Sequence, residues 1–598
     1  MASTTLLRDY ERKQNAVHYF KENDVPKRLE ELLNKILEDE PEDIFGYMAE
    51  HFSQLAKLAV INNIKAEEVY DNKGNLTVQV SICCKINGIE KAIASSCVYV
   101  SGGSSNHERR HHNGKKSSTK TSSHNNHQII ECKRDIQREL AFINTIVAES
   151  LLEKNPVNQQ EIDQILREVK CVATTKDEEQ IAAAATTAAE TAVTMEDASA
   201  PGRSQSERKR SANKMGPGGH STMDRYQSSD KLLHSPTMAV IDYDNHIFAT
   251  SIAIAQSAGI ASRQPTYAHI DQLMHGKARE NYVMPIPLSI VLTRVKSGGK
   301  IKFIKDVMIF PSIDIPYVDG LRNVVEVYQQ LGRLSIKTPL NKHITDMGSY
   351  APVMDKFEQI HDMLRDACTH AHLEFGKDIF MGIKCASEEI YDTEKSRYEK
   401  QQNIFKSSKE MIDMYADLLE KYPAFMMIID ALHPDDDNWA EVHSRLSHRC
   451  YIVGDRLYNH DIDINEKLMK KSITTAAIVR LSKSMLVSDV IQAANVYTSQ
   501  DQHLVISNSY APEDCNFVVD LAVGVGARFL QLGGPGRSEW TCKYNRLADI
   551  WSNLHNNNKL SPIPMHTVPR EVQDEQDQLL ESNQAIVSAN DANLQEKE

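Results

Sequence analysis

Long apolar runs are missing from this chain. The longest, such as AFMMIIDAL at residues 424–432, falls well short of the roughly 20 residues a membrane-spanning helix needs, so no transmembrane segment is expected. Cysteine is sparse for the length, at ten residues. Only Cys83 and Cys84 are adjacent, and no Cys-x-x-Cys spacing occurs, which reads as reduced intracellular thiols rather than a disulfide framework. A basic surplus is absent as well: the formal net charge of -14 argues against a nucleic-acid or anionic-membrane partner, both of which call for a basic surface. The opening MASTTLLRDYERK lacks the continuous apolar segment and small-residue cleavage site of a secretory signal. A cytoplasmic protein is expected.

What is present is ordinary for a soluble globular protein, with 41% hydrophobic and 25% charged residues, and 598 residues suffice for several domains. Three stretches are expected to stay unfolded because they carry too few apolar residues to offset the entropy of ordering. They are a histidine-rich insertion at about 101–127, an Ala/Thr and then Gly/Pro/Ser-rich insertion at about 174–235 containing SERKRSANK, and a polar tail at 561–598. The histidines read as a solvated loop, since their spacing is irregular and no cysteine or carboxylate cluster accompanies them. The basic run resembles a nuclear-localisation patch, a pattern that linkers also produce by chance.

Residues 1–59 form a unit of their own. Asp24 is placed to cap a helix with Pro26 in its first turn, and Leu29, Leu32, Leu33, Ile36 and Leu37 share one face. Pro41 breaks the chain, and a second helix follows with Ile44, Met48, Phe52 and Leu55 on one stripe. Two helices this short cannot bury both stripes alone. The pair resembles the dimerisation and docking helices of the protein kinase A regulatory subunit. That resemblance implies a homodimer whose groove takes an amphipathic helix of an anchoring partner through residues 24–58, with Leu29, Leu33 and Phe52 as docking residues. The alternative is a helical hairpin packed on its own protein.

From Val60 the pattern changes. Leu76, Val78, Val80 and Ile82 alternate and Asn87-Gly88 follows, a β-hairpin signal that starts a β-meander. After about Tyr282, apolar strands and amphipathic helices take turns: FMGIKC, AFMMIID, CYIVGD, TAAIVRL, HLVIS and RFLQL. Six βα-type units predict a parallel α/β barrel over 282–560 with functional groups at the carboxyl ends of its strands. The fold class is thus α/β: a small all-α helix pair, an α+β domain of meander plus helices at 60–281, and an α/β barrel.

Those strand ends carry a resemblance to enolase, the glycolytic phosphopyruvate hydratase. EVYDNKGNLTVQV, MPIPLSIVL, TDMGSYAP, GIKCASEEIY, VGDRL, VISNSYAPEDCNFVVDLAVG and GGPGRSEWTCKYNRL follow the family's order from about Val60 to Leu554. The resemblance implies a lyase that dehydrates 2-phosphoglycerate with a lysine base, a glutamate acid and two Mg²⁺ ions. It also places this chain's residues at the family's positions. Arg480 stands where the base belongs, and deprotonating an arginine near pKa 12.5 at pH 7 costs about 7.5 kcal/mol. Met347 stands at the acid, and Asp306 at a second, longer carboxylate. Of the three metal ligands only Asp455 is a carboxylate; Lys384 and Ile429 replace the others. An ammonium about 4 Å from a divalent ion costs roughly 8 kcal/mol at an effective dielectric near 20. The substrate-binding positions hold Gln531, Asn508, Ser509 and Ser297, and the glycine-bearing lid has become Ser95-Ser96-Cys97-Val98.

Each replacement reads either as drift or as a rewired site. On the second reading Lys384 and Asp455 form an ammonium–carboxylate pair in place of metal, and Asp306 pairs with Arg480. Two functions follow: a pseudoenzyme or scaffold with a degenerate active site, or a working hydratase. The nearest resemblance is to an enolase-like subfamily associated with sperm, which implies a flagellar setting and a link to local glycolysis.

Overall fold

The computed structural model describes residues 2–55, 58–71, 74, 76–86, 89–98, 136–173, 244–294, 299–335, 344–458, 473–481, 485–508 and 516–563. Ser297, Ser509, both predicted insertions, the Asn87-Gly88 turn and nearly all of the polar tail lie outside the described residues. Among the described residues no helix is long and apolar enough to cross a membrane.

Three helices, not two, make up the amino-terminal unit: α1 (Ala2–Glu22), α2 (Val25–Asp39) and α3 (Ile44–Gln54). The first is an addition to the expectation, its apolar residues being too scattered to mark a stripe. It also changes the role of Asp24, which makes no side-chain cap. With φ at 51°, a left-handed value that Asp tolerates better than most residues, Asp24 is the joint between α1 and α2. Pro26 sits in the first turn of α2, as its spacing predicts. A real cap opens α3, where the Gly46 N–H donates to Asp43 Oδ1 at 2.8 Å.

The meander follows as β1 (Val60–Tyr70), β2 (Leu76–Ile86) and β3 (Ile89–Val98), all antiparallel, with Ile86 facing Ile89 across the turn. Alternation sets its buried face: Val78, Val80, Ile82 and Cys84 are all enclosed. Against it lies the helix Asp244–Ala261, apolar almost all round and therefore buried on several sides, including Ile247, Phe248, Ile252 and Ile254. Ser95–Val98 belongs to β3, where Ser95, Ser96, Cys97 and Val98 pair with Ser81, Val80, Gln79 and Val78. The stretch that a lid would occupy is thus a rung of the sheet.

The larger domain is a closed eight-stranded barrel of β4 (Ile286–Thr293), β5 (Ile304–Pro311), β6 (Ile379–Cys385), β10 (Phe425–Ile429), β11 (Tyr451–Gly454), β12 (Ala476–Leu481), β13 (His503–Asn508) and β14 (Phe529–Gly533). A small hairpin sheet, β7 (Tyr391–Asp392), β8 (Arg397–Gln401) and β9 (Ile404–Lys406), interrupts it between β6 and β10. One strand departs from the parallel barrel expected: β5 runs antiparallel to both β4 and β6. The link from Thr293 to Ile304 is too short for a crossover helix, so the chain can only turn back. Two helices, Tyr317–Ser335 and Phe357–His370, then return it to β6 in the parallel sense. Inside the barrel Leu288, Met308, Phe310, Met427, Ile429, Val453, Ala476, Val505 and Phe529 pack solidly. Chemistry is therefore confined to the ends.

A buried polar knot joins the smaller domain to the barrel. Asp163, fully enclosed, accepts the Ser488 N–H at 2.9 Å, Ser251 Oγ at 2.7 Å and Gln159 Nε2 at 2.9 Å. The Ser488 amide belongs to the first turn of the Val487–Ser499 helix that follows β12, so a carboxylate of one domain caps a helix of the other. Asp163→Ala, which strands the buried Ser488 amide and Ser251 hydroxyl while Gln159 Nε2 keeps Ser251 O, is expected to lower stability by about 2–4 kcal/mol in urea-induced unfolding; a loss within experimental error would show that the knot is not a structural tie.

Candidate functional site

The carboxyl ends of the parallel strands and the start of the reversed β5 converge at one mouth of the barrel. Side chains alternate along a strand, so in β6 Lys384 shares the inner face with Gly382 and Phe380, and in β12 Arg480 shares it with Ile478 and Ala476. Asp455 is the first residue after β11.

Asp455 is the hub. It is 5% exposed, its Oδ2 accepts the Lys384 ammonium, and Arg480 forks onto it, Nε donating to Oδ1 at 2.5 Å and Nη2 to Oδ2. Burial alone would raise this carboxyl. The charges of Lys384 and Arg480 more than offset burial and hold it well below the usual carboxylate range. The Lys384–Asp455 pair thus has the partners the sequence predicts. The expected Asp306–Arg480 pair does not form, because β12 adjoins β11 whereas β6, β10 and β11 separate it from β5. Arg480 takes the nearer carboxylate.

Asp306 instead stands in register with Lys384 on the neighbouring strand. Thr293 Oγ1 donates to its Oδ1 at 2.8 Å, Ser349 lies 2.7 Å from Thr293, and Thr345 lies 2.6 Å from Ser349. With Thr293's proton committed to Asp306, Ser349 donates to Thr293 and Thr345 to Ser349. Burial pushes the Asp306 carboxyl up, partly opposed by Lys384 and the Thr293 bond.

Ile429, at the end of β10, is fully buried beside Lys384 and offers no ligand atom. The next residue is the one sequence reasoning missed. Asp430 has φ 53°, and its Oδ1 accepts the N–H groups of Asp455 at 2.8 Å and Arg456 at 2.9 Å, which aims Asp455 into the mouth. Burial and then the Asp455 charge push its carboxyl up to about 6. A carboxylate directly after the buried run FMMII was the available signal. Nothing in the sequence singled out Thr293, Ser349 or Ser507.

The remaining positions are neutral. Gln531 in β14 accepts Ser507 Oγ at 2.8 Å and reaches Met308 Sδ at 3.3 Å. Asn508, buried, ends β13. Met347 packs against the barrel interior from the 345–349 turn. That turn is gripped by the Gly-rich segment after β14: the Gly534 N–H donates to Met347 O at 2.8 Å and Trp540 Nε1 to Asp346 O at 3.0 Å. A Cβ on Gly534 would lie 2.6 Å from Gly348 O, so only glycine fits. Leu29, Leu33 and Phe52 lie on α2 and α3 and are exposed.

This donor set does not suit a divalent cation. Both Asp455 oxygens are engaged by cations and Asp430 Oδ1 by two amides, so Mg²⁺, which needs oxygen ligands, would confront an ammonium. Among the described residues no group of three or more His, Cys, Asp or Glu is arranged to hold a metal.

The Asp430 environment sets a pH signature. A carboxyl raised from 3.8 to about 6 weakens the fold as pH rises through that interval and the group ionises. Asp430→Asn keeps the Oδ1 acceptor and removes the charge. It is expected to gain about 1–3 kcal/mol over wild type in urea titrations at pH 8 and nothing at pH 4; an equal change at both pH values would show that no raised carboxyl is involved.

With this geometry in place, similarity to known proteins can be read. Residues 281–565, which span the barrel, match the enolase C-terminal TIM barrel domain. Enolase 4 of Xenopus laevis is 26% identical over 568 residues, covering 94% of this chain and 95% of its own length. Enolase 4 of Homo sapiens is 27% identical over 591 residues, covering 93% and 90%. An enolase of Elusimicrobium minutum is 29% identical over 337 residues, or 55% of this chain and 78% of its own. The bacterial match leaves nearly half the chain uncovered, whereas the enolase 4 matches run through almost all of it. The barrel thus matches the enolase C-terminal domain, and the chain as a whole is similar to enolase 4 proteins along almost all of its length.

Proposed function

We propose that this chain is an enolase-family pseudoenzyme, a scaffold whose reaction centre has become an ion-pair cluster. Dehydrating 2-phosphoglycerate needs a base for the C2 proton, an acid for the departing hydroxyl and a cationic clamp on the enediolate. The family correspondence assigns those tasks to Arg480, Met347 and the set Lys384, Ile429 and Asp455. A guanidinium is a poor base, a thioether has no proton to give, and an ammonium stands where a metal ligand belongs. The observation that carries the reading is the saturation of Asp455 by Lys384 and Arg480, which fills the one retained ligand position with fixed cations. A cytoplasmic role beside glycolysis, in the sperm flagellum, rests on the enolase-like resemblance alone.

Asp306, whose raised carboxyl lies in register with Lys384, is what favours the second reading, a working phosphopyruvate hydratase. A coupled assay of the purified full chain with 2-phosphoglycerate and Mg²⁺ separates the two. No phosphoenolpyruvate above background is expected; turnover that disappears in Asp306→Asn would establish the hydratase.

The amino-terminal helices supply the scaffold's contacts. Leu33 is 55% exposed, Leu37 77% and Phe45 83%, while Leu29 and Phe52 are each 39% exposed, so apolar stripes on both α2 and α3 face outward. A second copy of the chain, bringing the same stripes, covers them as an isologous bundle and leaves a groove for an amphipathic anchoring helix. Sedimentation equilibrium should give a dimer for wild type and a monomer for Leu33→Glu; the same mass for both forms would rule this contact out.

A further inference from the structure

Arg528 stands immediately before β14, and its backbone fixes its place. Its N–H donates to Leu504 O at 2.9 Å, and its carbonyl accepts the Ile286 N–H at 2.9 Å. It therefore lies at the amino-terminal ends of β13, β14 and β4, the end of the barrel opposite Asp455. The residue is 8% exposed, yet Nε, Nη1 and Nη2 are all buried with no hydrogen-bond partner among the described residues.

What surrounds it does not neutralise it. The guanidinium carbon lies 6.0 Å from the centre of the Phe529 ring, a weak contact that leaves the N–H donors unmet. His503, the first residue of β13, lies close enough that burial and then the Arg528 charge hold its imidazole below the ordinary range. Phe529 packs edge-to-face with Tyr451 at 5.1 Å and with Phe310 at 6.2 Å on the interior side, and among the described residues no carboxylate pairs with Arg528. A buried cation without a counter-charge is among the least favourable arrangements in a folded protein. Such a group calls for a ligand.

We propose that Arg528 anchors a small-oxyanion site at the amino-terminal floor of the barrel, binding phosphate or a phosphate-like group on its guanidinium fork with the His503 imidazole beside it. The planar fork matches two oxygens of a tetrahedral anion, which a lysine could meet only as a point charge. The site is separate from the Asp455 mouth and does not depend on whether the chain turns over any substrate.

Equilibrium dialysis of the full chain against labelled inorganic phosphate at low ionic strength tests this. A single saturable site is expected in wild type and in Arg480→Gln, with binding weakened roughly tenfold or more in Arg528→Met. Equal uptake by wild type and Arg528→Met would overturn the proposal. So would loss in Arg480→Gln with retention in Arg528→Met, since it would move the ion to the other mouth. If Arg528→Met does not fold, wild type alone decides: phosphate should raise its Tm by roughly 1–2 °C over chloride at equal ionic strength, saturably. No shift would sink the idea.

Discussion

One carboxylate bearing two cations governs the mouth of this barrel. Asp455 draws Lys384 from β6 and Arg480 from β12, and with β10 and β11 between those strands it fixes nearly half of the rim. Two further carboxyls, Asp306 and Asp430, sit in the same low-dielectric space. Were all three ionised, the cluster would carry an excess of negative charge. The upward shifts of Asp306 and Asp430 relieve that excess by favouring protons on the two that lack a direct cation, while Asp455 stays charged. With two cations and Asp455 charged, ionisation of only one further carboxyl balances the cluster, so charge is matched by protons and fixed cations, where a metal would be the other solution. The two solutions exclude one another, because a divalent ion on Asp455 would confront the Lys384 ammonium that its Oδ2 already accepts.

The framework around this cluster answers to different physics. Gly533 and Gly534 are required by contact: a Cβ on Gly533 would lie 2.3 Å from Met347 O, and one on Gly534 would strike Gly348 O. Tyr544 OH ties the same turn to β4 by donating to Gly533 O at 2.8 Å and lying 2.6 Å from Ser289 Oγ. Such backbone constraints hold whatever reaction the mouth supports, or if it supports none. Side chains that face the mouth carry no comparable backbone duty. That is why the Gly-Gly-Pro-Gly motif can identify the fold while saying nothing of turnover.

The same distinction explains how much could be read from the sequence. Six of the seven parallel barrel strands announced themselves as short apolar runs, β4 entering only through the family resemblance, and the strand ends carried the residues that meet at the mouth. Direction was not legible for β5, since IKDVMIFP reads the same whichever way it runs; the short link before it was the sole clue. Pairing was not legible for Arg480, because choosing between Asp306 and Asp455 requires the strand order around a closed barrel. Asp430 was passed over because its work is done through its neighbours' amides rather than at the family's ligand position. Helix α1 lacked an apolar stripe, so no periodicity announced it, and its described side chains, Val17, Tyr19 and Phe20 among them, are exposed.

The two ends of the barrel now stand in contrast. At the carboxyl-terminal mouth, every cation added relative to the family pattern has a carboxylate within reach, and the cluster closes on itself. At the amino-terminal floor, Arg528 is buried as deeply but, among the described residues, its guanidinium has a ring face and an imidazole beside it and no hydrogen-bond partner. A charge left in that state must lower the stability of the fold unless something from outside answers it. The mouth that resembles a reaction centre is therefore the self-sufficient end, and the floor, which the family resemblance leaves without a role, is the end whose electrostatics call for a ligand.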